Sequence, residues 1–249
     1  MFKIKDLYIY TAVLFCFSFT AYGKGNGEGI ISDTGIEVSG SLDSYSQYVW
    51  RGFLLDDDAV IQPGIGLSFK GLSFSLWSSF DAADDDSLAS DEVDYIIDYT
   101  HNIGIFSLSI GNTFYFFPAY DSKSMEMYLS LGMDVISNPS ITLYLDYGNE
   151  TEGGADGVYV SLDLSHNQPV HRDITLDVSA HAGYNHELFI TGNGYDIALA
   201  TGLTLTVFDK LALKPAIYYT VPFAELSDEL NGNQKSNIYA GASINWAFQ

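Results

Sequence analysis

Met125-Glu126-Met127-Tyr128-Leu129-Ser130-Leu131-Gly132-Met133-Asp134-Val135 places an apolar side chain at every odd position, and its even positions carry charged, small or hydroxyl-bearing side chains. Successive side chains of an extended strand point to opposite faces, so this segment has one greasy face and one wet face. Outward from it, the same alternation recurs in twelve runs, near 35–47, 60–69, 72–81, 92–100, 104–116, 124–135, 141–148, 158–165, 174–184, 195–207, 211–221 and 237–248. The connections alternate in length. Lys70-Gly71, His101 to Ile103, Ser137-Asn138-Pro139-Ser140, Asn167 to Asp173 and Phe208-Asp209-Lys210 are short, whereas 48–59, 82–91, 117–123, 149–157, 185–194 and 222–236 are long. An up-and-down barrel with its long loops on one rim requires that order. A Greek-key sandwich has no reason to keep it. The expected fold class is therefore all-β: an up-and-down antiparallel transmembrane β-barrel of about 12 strands.

The chain begins as an exported protein does. Lys3 and Lys5 precede the largely apolar run Leu7 to Phe19, and Ala21-Tyr22-Gly23 is a small-x-small cleavage site. Residues 1–23 read as a secretory signal peptide, 24–34 as a flexible periplasmic N-terminal segment and 35–249 as a single barrel domain. The apolar run is short for a spanning helix, which needs about 20 residues. The only cysteine, Cys16, leaves with the signal peptide, so no disulfide framework is expected. Beyond the signal peptide no apolar stretch reaches helix-spanning length, so a membrane crossing has to be made by strands.

Charge excludes one class of partner. The chain holds 10 Lys+Arg against 32 Asp+Glu, a formal net charge of −22. Nucleic-acid binding rests on Lys and Arg neutralising phosphate, so no nucleic acid is expected. With 15% aromatic residues the chain is not an acidic disordered one either. The acids gather in long loops, as Asp56-Asp57-Asp58, Asp84-Asp85-Asp86, Asp91, Glu150, Glu152, Asp156, Glu225, Asp228 and Glu229. Lys70, Arg172 and Lys210 sit in short turns. That sorting puts the long loops outside the cell and the short turns in the periplasm. The expected location is the outer membrane of a Gram-negative bacterium, with outer-membrane lipid and lipopolysaccharide as neighbours. Neither Asp triplet has the spaced ligands of a calcium loop.

The last strand fits this reading, since Ile238, Ala240, Ala242, Ile244, Trp246 and Phe248 share one face beside the terminus. Aromatic rings favour the headgroup level, so Trp50, Phe69, Phe80, Tyr99, Tyr147, Trp246 and Phe248 are expected in girdles at the two rims.

The segment Ser46-Gln47-Tyr48-Val49-Trp50-Arg51-Gly52-Phe53 is followed by Ile61-Gln62-Pro63-Gly64, Gly71-Leu72-Ser73-Phe74, Leu76-Trp77-Ser78-Ser79 and Glu92-Val93-Asp94-Tyr95. This series resembles the uncharacterised proteobacterial Gcw-chp family of exported, outer-membrane-barrel-like proteins. Tyr48-Val49-Trp50-Arg51-Gly52 is its most specific element, while the second half of the chain matches in pattern alone. Members usually carry Ser-Asp after the Arg-Gly element, where this chain has Leu54-Leu55-Asp56. The resemblance implies a barrel-like exported protein and no particular activity.

If the apolar phase faces lipid, the other phase lines a lumen. That lining contains Asp94, Asp98, Glu126, Asp134, Asp146, Asp163, Asp177 and Asp196, with Glu37 and Asp43, against Arg51, Lys214 and His181. Most of the remaining inward residues are small or hydroxyl-bearing. Barrels of eight strands are filled by side chains and those of sixteen or more leave a broad channel. Twelve strands therefore suit a narrow, water-filled, acidic pore for small polar or cationic solutes. The alternative is a non-conducting barrel that acts as a surface binding or structural protein through its acidic exterior loops.

Arg51, where the first long loop begins, is expected either to tie that loop to wall carboxylates or to form a constriction. An enzyme is not expected. Asp177, Ser179 and His181 share a strand face, but neighbours two apart lie about 6.6 Å from each other, too far for a nucleophile–base hydrogen bond. His101, His166, His171 and His186 show no metal-ligand spacing, and no Gly-rich phosphate loop precedes a helix. No metal and no cofactor are expected.

Overall fold

A computed structural model describes residues 35–82, 92–118, 122–147, 157–190, 192–229 and 233–248. The expected signal peptide and N-terminal segment lie outside the described residues, as do Asp84-Asp85-Asp86, Asp91, Glu150, Glu152 and Asp156.

Among the described residues there are fourteen strands. Twelve form the wall: β1 (Glu37–Tyr45), β4 (Val60–Phe69), β5 (Leu72–Asp81), β6 (Glu92–Ile103), β7 (Phe106–Phe117), β8 (Ser122–Met133), β9 (Ser140–Asp146), β10 (Val158–His171), β11 (Ile174–His186), β12 (Asn193–Phe208), β13 (Leu211–Ala224) and β14 (Asn237–Phe248). Each wall strand corresponds to one alternating run of the sequence. Every neighbour is antiparallel, and β1 pairs with β14 from Val38↔Phe248 to Tyr45↔Gly241, which closes the barrel and leaves no free edge. The remaining two, β2 (Tyr48–Trp50) and β3 (Phe53–Asp56), form a separate hairpin.

The apolar phase faces outward all round. Ile65, Ile110, Leu129 and Leu199 are each at least half exposed on the outer surface. In water such a continuous band would be an aggregation site, whereas an outward apolar band is the usual outer surface of a transmembrane barrel. The inner phase is close-packed where tyrosines meet glycines. A Cβ on Gly111 would lie 2.3 Å from the Tyr128 ring, and one on Gly183 would lie 2.0 Å from the Tyr159 hydroxyl, so only glycine leaves room for these inward rings.

Two connections depart from expectation. The turn expected over Asn167 to Asp173 is confined to Arg172-Asp173, because β10 continues to His171. Pro169, which cannot donate to a ladder, is accommodated next to a register shift between Pro169 and His171, the setting in which strands tolerate proline. The first long loop, expected as an exterior excursion, instead carries the β2–β3 hairpin into the barrel.

Candidate functional site

The hairpin is turned by Arg51-Gly52, with Trp50 opposite Phe53. Both turn residues have positive φ, 48° for Arg51 and 81° for Gly52, as a two-residue hairpin loop matched to strand twist requires. A non-glycine residue adopts this conformation at a cost of about 1 kcal/mol. Gly52 has a second constraint: a Cβ there would come within 2.7 Å of Leu226 and 2.8 Å of Asp196. The turn is thus pushed against the opposite wall, and it carries Arg51 into the interior.

The Arg51 guanidinium is held from several sides. Nη1 and Nη2 donate to Glu126 Oε2 and Oε1 at 2.6 and 2.8 Å, a bidentate pair. The Tyr115 hydroxyl donates to the same carboxylate at 3.2 Å. The guanidinium carbon lies 4.4, 4.2 and 4.4 Å from the ring centroids of Trp50, Tyr144 and Tyr159, within cation–π range. Arg51 is 8% and Glu126 1% exposed. Removing one partner of such a buried pair strands the other, at a cost of about 3–5 kcal/mol.

A second polar cluster adjoins it through Tyr159. Its hydroxyl donates to Asp196 Oδ1 at 2.8 Å and lies 2.7 Å from His181 Nε2. His181 Nδ1 meets Asp163 Oδ1 at 2.6 Å, and Nε2 meets Asp196 Oδ2 at 3.1 Å. Ser161 donates to Asp163 at 2.7 Å. Beyond these polar layers, Trp50, Phe53, Leu188, Ile190 and Leu226 pack with Tyr144 and Tyr159 as an apolar roof. Leu188 and Leu226 belong to long connections yet have no exposure at all. Three connections at the long-loop rim therefore fold inward.

Beneath the hairpin is a cavity of about 620 Å³. Its lining includes the short-turn residues Lys70, Gly71, Gly104, Asn138 and Pro139 at one end and Arg51 with Glu126 at the other. Glu37, Asp94, Asp98, Asp163, His181 and Asp196 also lie on its wall. Asp98 accepts from Tyr128 at 2.9 Å and from Thr100 at 3.0 Å. Asp134 reaches the mouth only, just past the end of β8, and is exposed. Asp146 is buried and accepts from Ser124 at 2.7 Å. Asp177 is half-buried and accepts from Asn167 and Thr204, each at 2.6 Å. Lys214, opposite Ser243 on β14, is half-buried. His181 and Asp177 share a face with Ser179, and His181 contacts Asp163, Asp196 and Tyr159 as given above. Among the described residues no three His, Cys, Asp or Glu side chains assemble as metal ligands.

Trp50 is a correction. Expected in a girdle, it is 8% exposed inside the barrel, edge-on to Tyr115 at 6.3 Å and to Phe189 at 5.4 Å, because the hairpin carries it inward. Of the other rings expected at the rims, Phe69, Tyr99, Tyr147 and Phe248 are exposed, whereas Phe80 and Trp246 are half-buried. Trp246 lies across Gly40 on the outer wall. The roof residues Leu188, Ile190 and Leu226 were outside the expected site. Their signal was available: large apolar residues in what reads as an exterior loop.

The fold recurs in solved outer-membrane proteins. The KdgM porin aligns at TM-score 0.57 and 12% identity, covering 85% of this chain and 99% of that one. The NanC porin aligns at 0.51 and 12%, covering 86% and 99%. An outer-membrane channel from Pseudomonas putida F1 aligns at 0.51 and 10%, covering 86% and 96%. No curated protein matches in sequence. The Tyr48–Gly52 element that builds the inward turn lies within a family match spanning residues 31–239, and the chain accordingly belongs to the Gcw_chp family, bacterial proteins of unknown function.

Proposed function

We propose that this protein is an outer-membrane channel for small polar or cationic solutes, throttled by its inward hairpin. The short turns face the periplasm, the long loops face outward, and the exposed apolar band contacts outer-membrane lipid and lipopolysaccharide. The observation that carries this reading is the cavity that runs from the short-turn rim to Arg51. Its wall is acidic: Glu37, Asp94 and Asp98 line it together with Asp163 and Asp196, which share His181, while the Arg51 charge is already matched by Glu126. Carboxylates on a narrow lumen attract cations and repel anions. The porin-like fold supports passage through the barrel. A KdgM porin structure contains disordered oligogalacturonate, a polyanion. The acidic wall here suits solutes of the opposite charge.

In this reading the signal peptide directs export and the mature barrel resides in the outer membrane, and neither catalysis nor a cofactor is invoked. Reconstitution into a planar bilayer tests it. Small cation-selective steps are expected; a silent membrane or anion preference overturns it. The apolar roof over Leu188 and Leu226 favours a second reading, a barrel that does not conduct and acts through its exterior loops. That reading predicts no steps, and loss of partner binding when loops 82–91 or 222–236 are trimmed.

A further inference from the structure

One buried carboxylate oxygen on the cavity wall lacks a donor. Asp94 is 1% exposed and lines the cavity, and its Oδ1 has no hydrogen-bond partner among the described residues. A buried, unpaired carboxylate is costly, and native structures rarely leave one without a reason. The resident guanidinium of the cavity, Arg51, is engaged at both terminal nitrogens by Glu126.

The surroundings of Asp94 define what it would take. Its direct cross-strand neighbours are Trp77 on β5 and Tyr115 on β7, both buried, and of the two Tyr115 lines the cavity. Directly opposite side chains on one face stand about 5 Å apart at Cβ. Glu92, two residues back on the same face, is also buried. Carboxylates between aromatic rings are the surroundings the protein gives its own Arg51, which sits on Glu126 among Trp50, Tyr144 and Tyr159. Rings favour an organic cation through their faces, and the carboxylate fixes its charge. The cavity volume, about 620 Å³, is of the size that holds a small molecule.

We propose that Asp94, beside Tyr115 on the cavity wall, is the anchor for the ammonium head of a small organic cation entering from the short-turn side. This rests on the reading that small solutes enter the lumen, and it names their class.

The test is isothermal titration of the folded barrel in detergent micelles with n-propylammonium chloride, with sodium chloride and sodium propionate at matched ionic strength as the other arms. Saturable binding of propylammonium is expected in the wild type, with none for propionate. Asp94→Asn should weaken it about tenfold or more, with heat-modifiable migration showing that the variant folds. Tyr115→Leu, which removes the ring beside Asp94 on the cavity wall, should weaken propylammonium binding as well; this arm stands even if Asp94→Asn does not fold. Absence of saturation, unchanged affinity in Asp94→Asn, or displacement by equimolar sodium overturns the proposal. Binding without bilayer conductance retains this site and overturns the channel. Conductance with Asp94-independent binding does the reverse.

Discussion

Arg51 and Glu126 stand 75 residues apart in sequence and meet inside the barrel through two charge-assisted hydrogen bonds of 2.6 and 2.8 Å. One comes from the turn of an infolded hairpin, the other from a wall strand whose alternation decides the fold. Their pairing converts an open cylinder into one with a stopper on its long-loop side.

Breaking that pair should free the stopper before it harms the wall. Arg51→Ala leaves Glu126 buried without its cation, a loss of about 3–5 kcal/mol. The wall ladders do not involve Arg51, so heat-modifiable migration should persist while single-channel conductance rises. Arg51→Lys should recover only part of the closed state, because an ammonium cannot make the planar bidentate pair. Wild-type conductance in Arg51→Ala would show that the hairpin does not limit flow.

The roof gives an independent handle. Leu226 is fully buried against the hairpin turn, and Leu226→Ala should destabilise its packing by about 2–5 kcal/mol. The expected outcome is faster protease cleavage within residues 48–56 of the folded barrel. Cleavage as slow as in the wild type would mean that the roof does not hold the hairpin.

Gly52 should tolerate no side chain. Its φ of 81° and the 2.7 Å approach of Leu226 both oppose a Cβ. Gly52→Ala should therefore give the same protease-sensitive hairpin as Leu226→Ala, and the double variant should be little worse than either, since both act on one contact. Fully additive sensitivity would contradict a shared contact.

The outer face makes a contrasting prediction. Leu129 is half exposed on the outer side of β8. Leu129→Arg should destabilise the barrel in lipid vesicles by about 2–4 kcal/mol in urea unfolding, if its level is near the bilayer midplane as its place within the strand implies. A neutral effect would place that face away from lipid.

The wall was legible in the sequence because alternation is a direct imprint of two-sidedness. Met125 to Val135 shows it plainly, and the runs at 35–47 and 237–248 become the β1–β14 closure. Pro169 misled, because a proline read as a turn is also tolerated beside a bulge. The hairpin was not legible from alternation, since strands of three and four residues are too short to show a period. Its position depends on contacts made by Trp50, Arg51 and Gly52 with residues more than 70 positions away, Glu126 among them. The inward phase reads as acidic in the sequence, and its tyrosines are undervalued there. Tyr144 and Tyr159 fill the interior and hold Arg51, where small residues had suggested open space.

The most direct measurement is the reversal potential of single channels under a potassium chloride gradient, for the wild type and Arg51→Ala side by side. Small steps with cation preference in the wild type, and larger steps of the same preference in Arg51→Ala, are predicted. Silence in both proteins, or an anion preference in either, would contradict an acidic lumen throttled by the Arg51 hairpin.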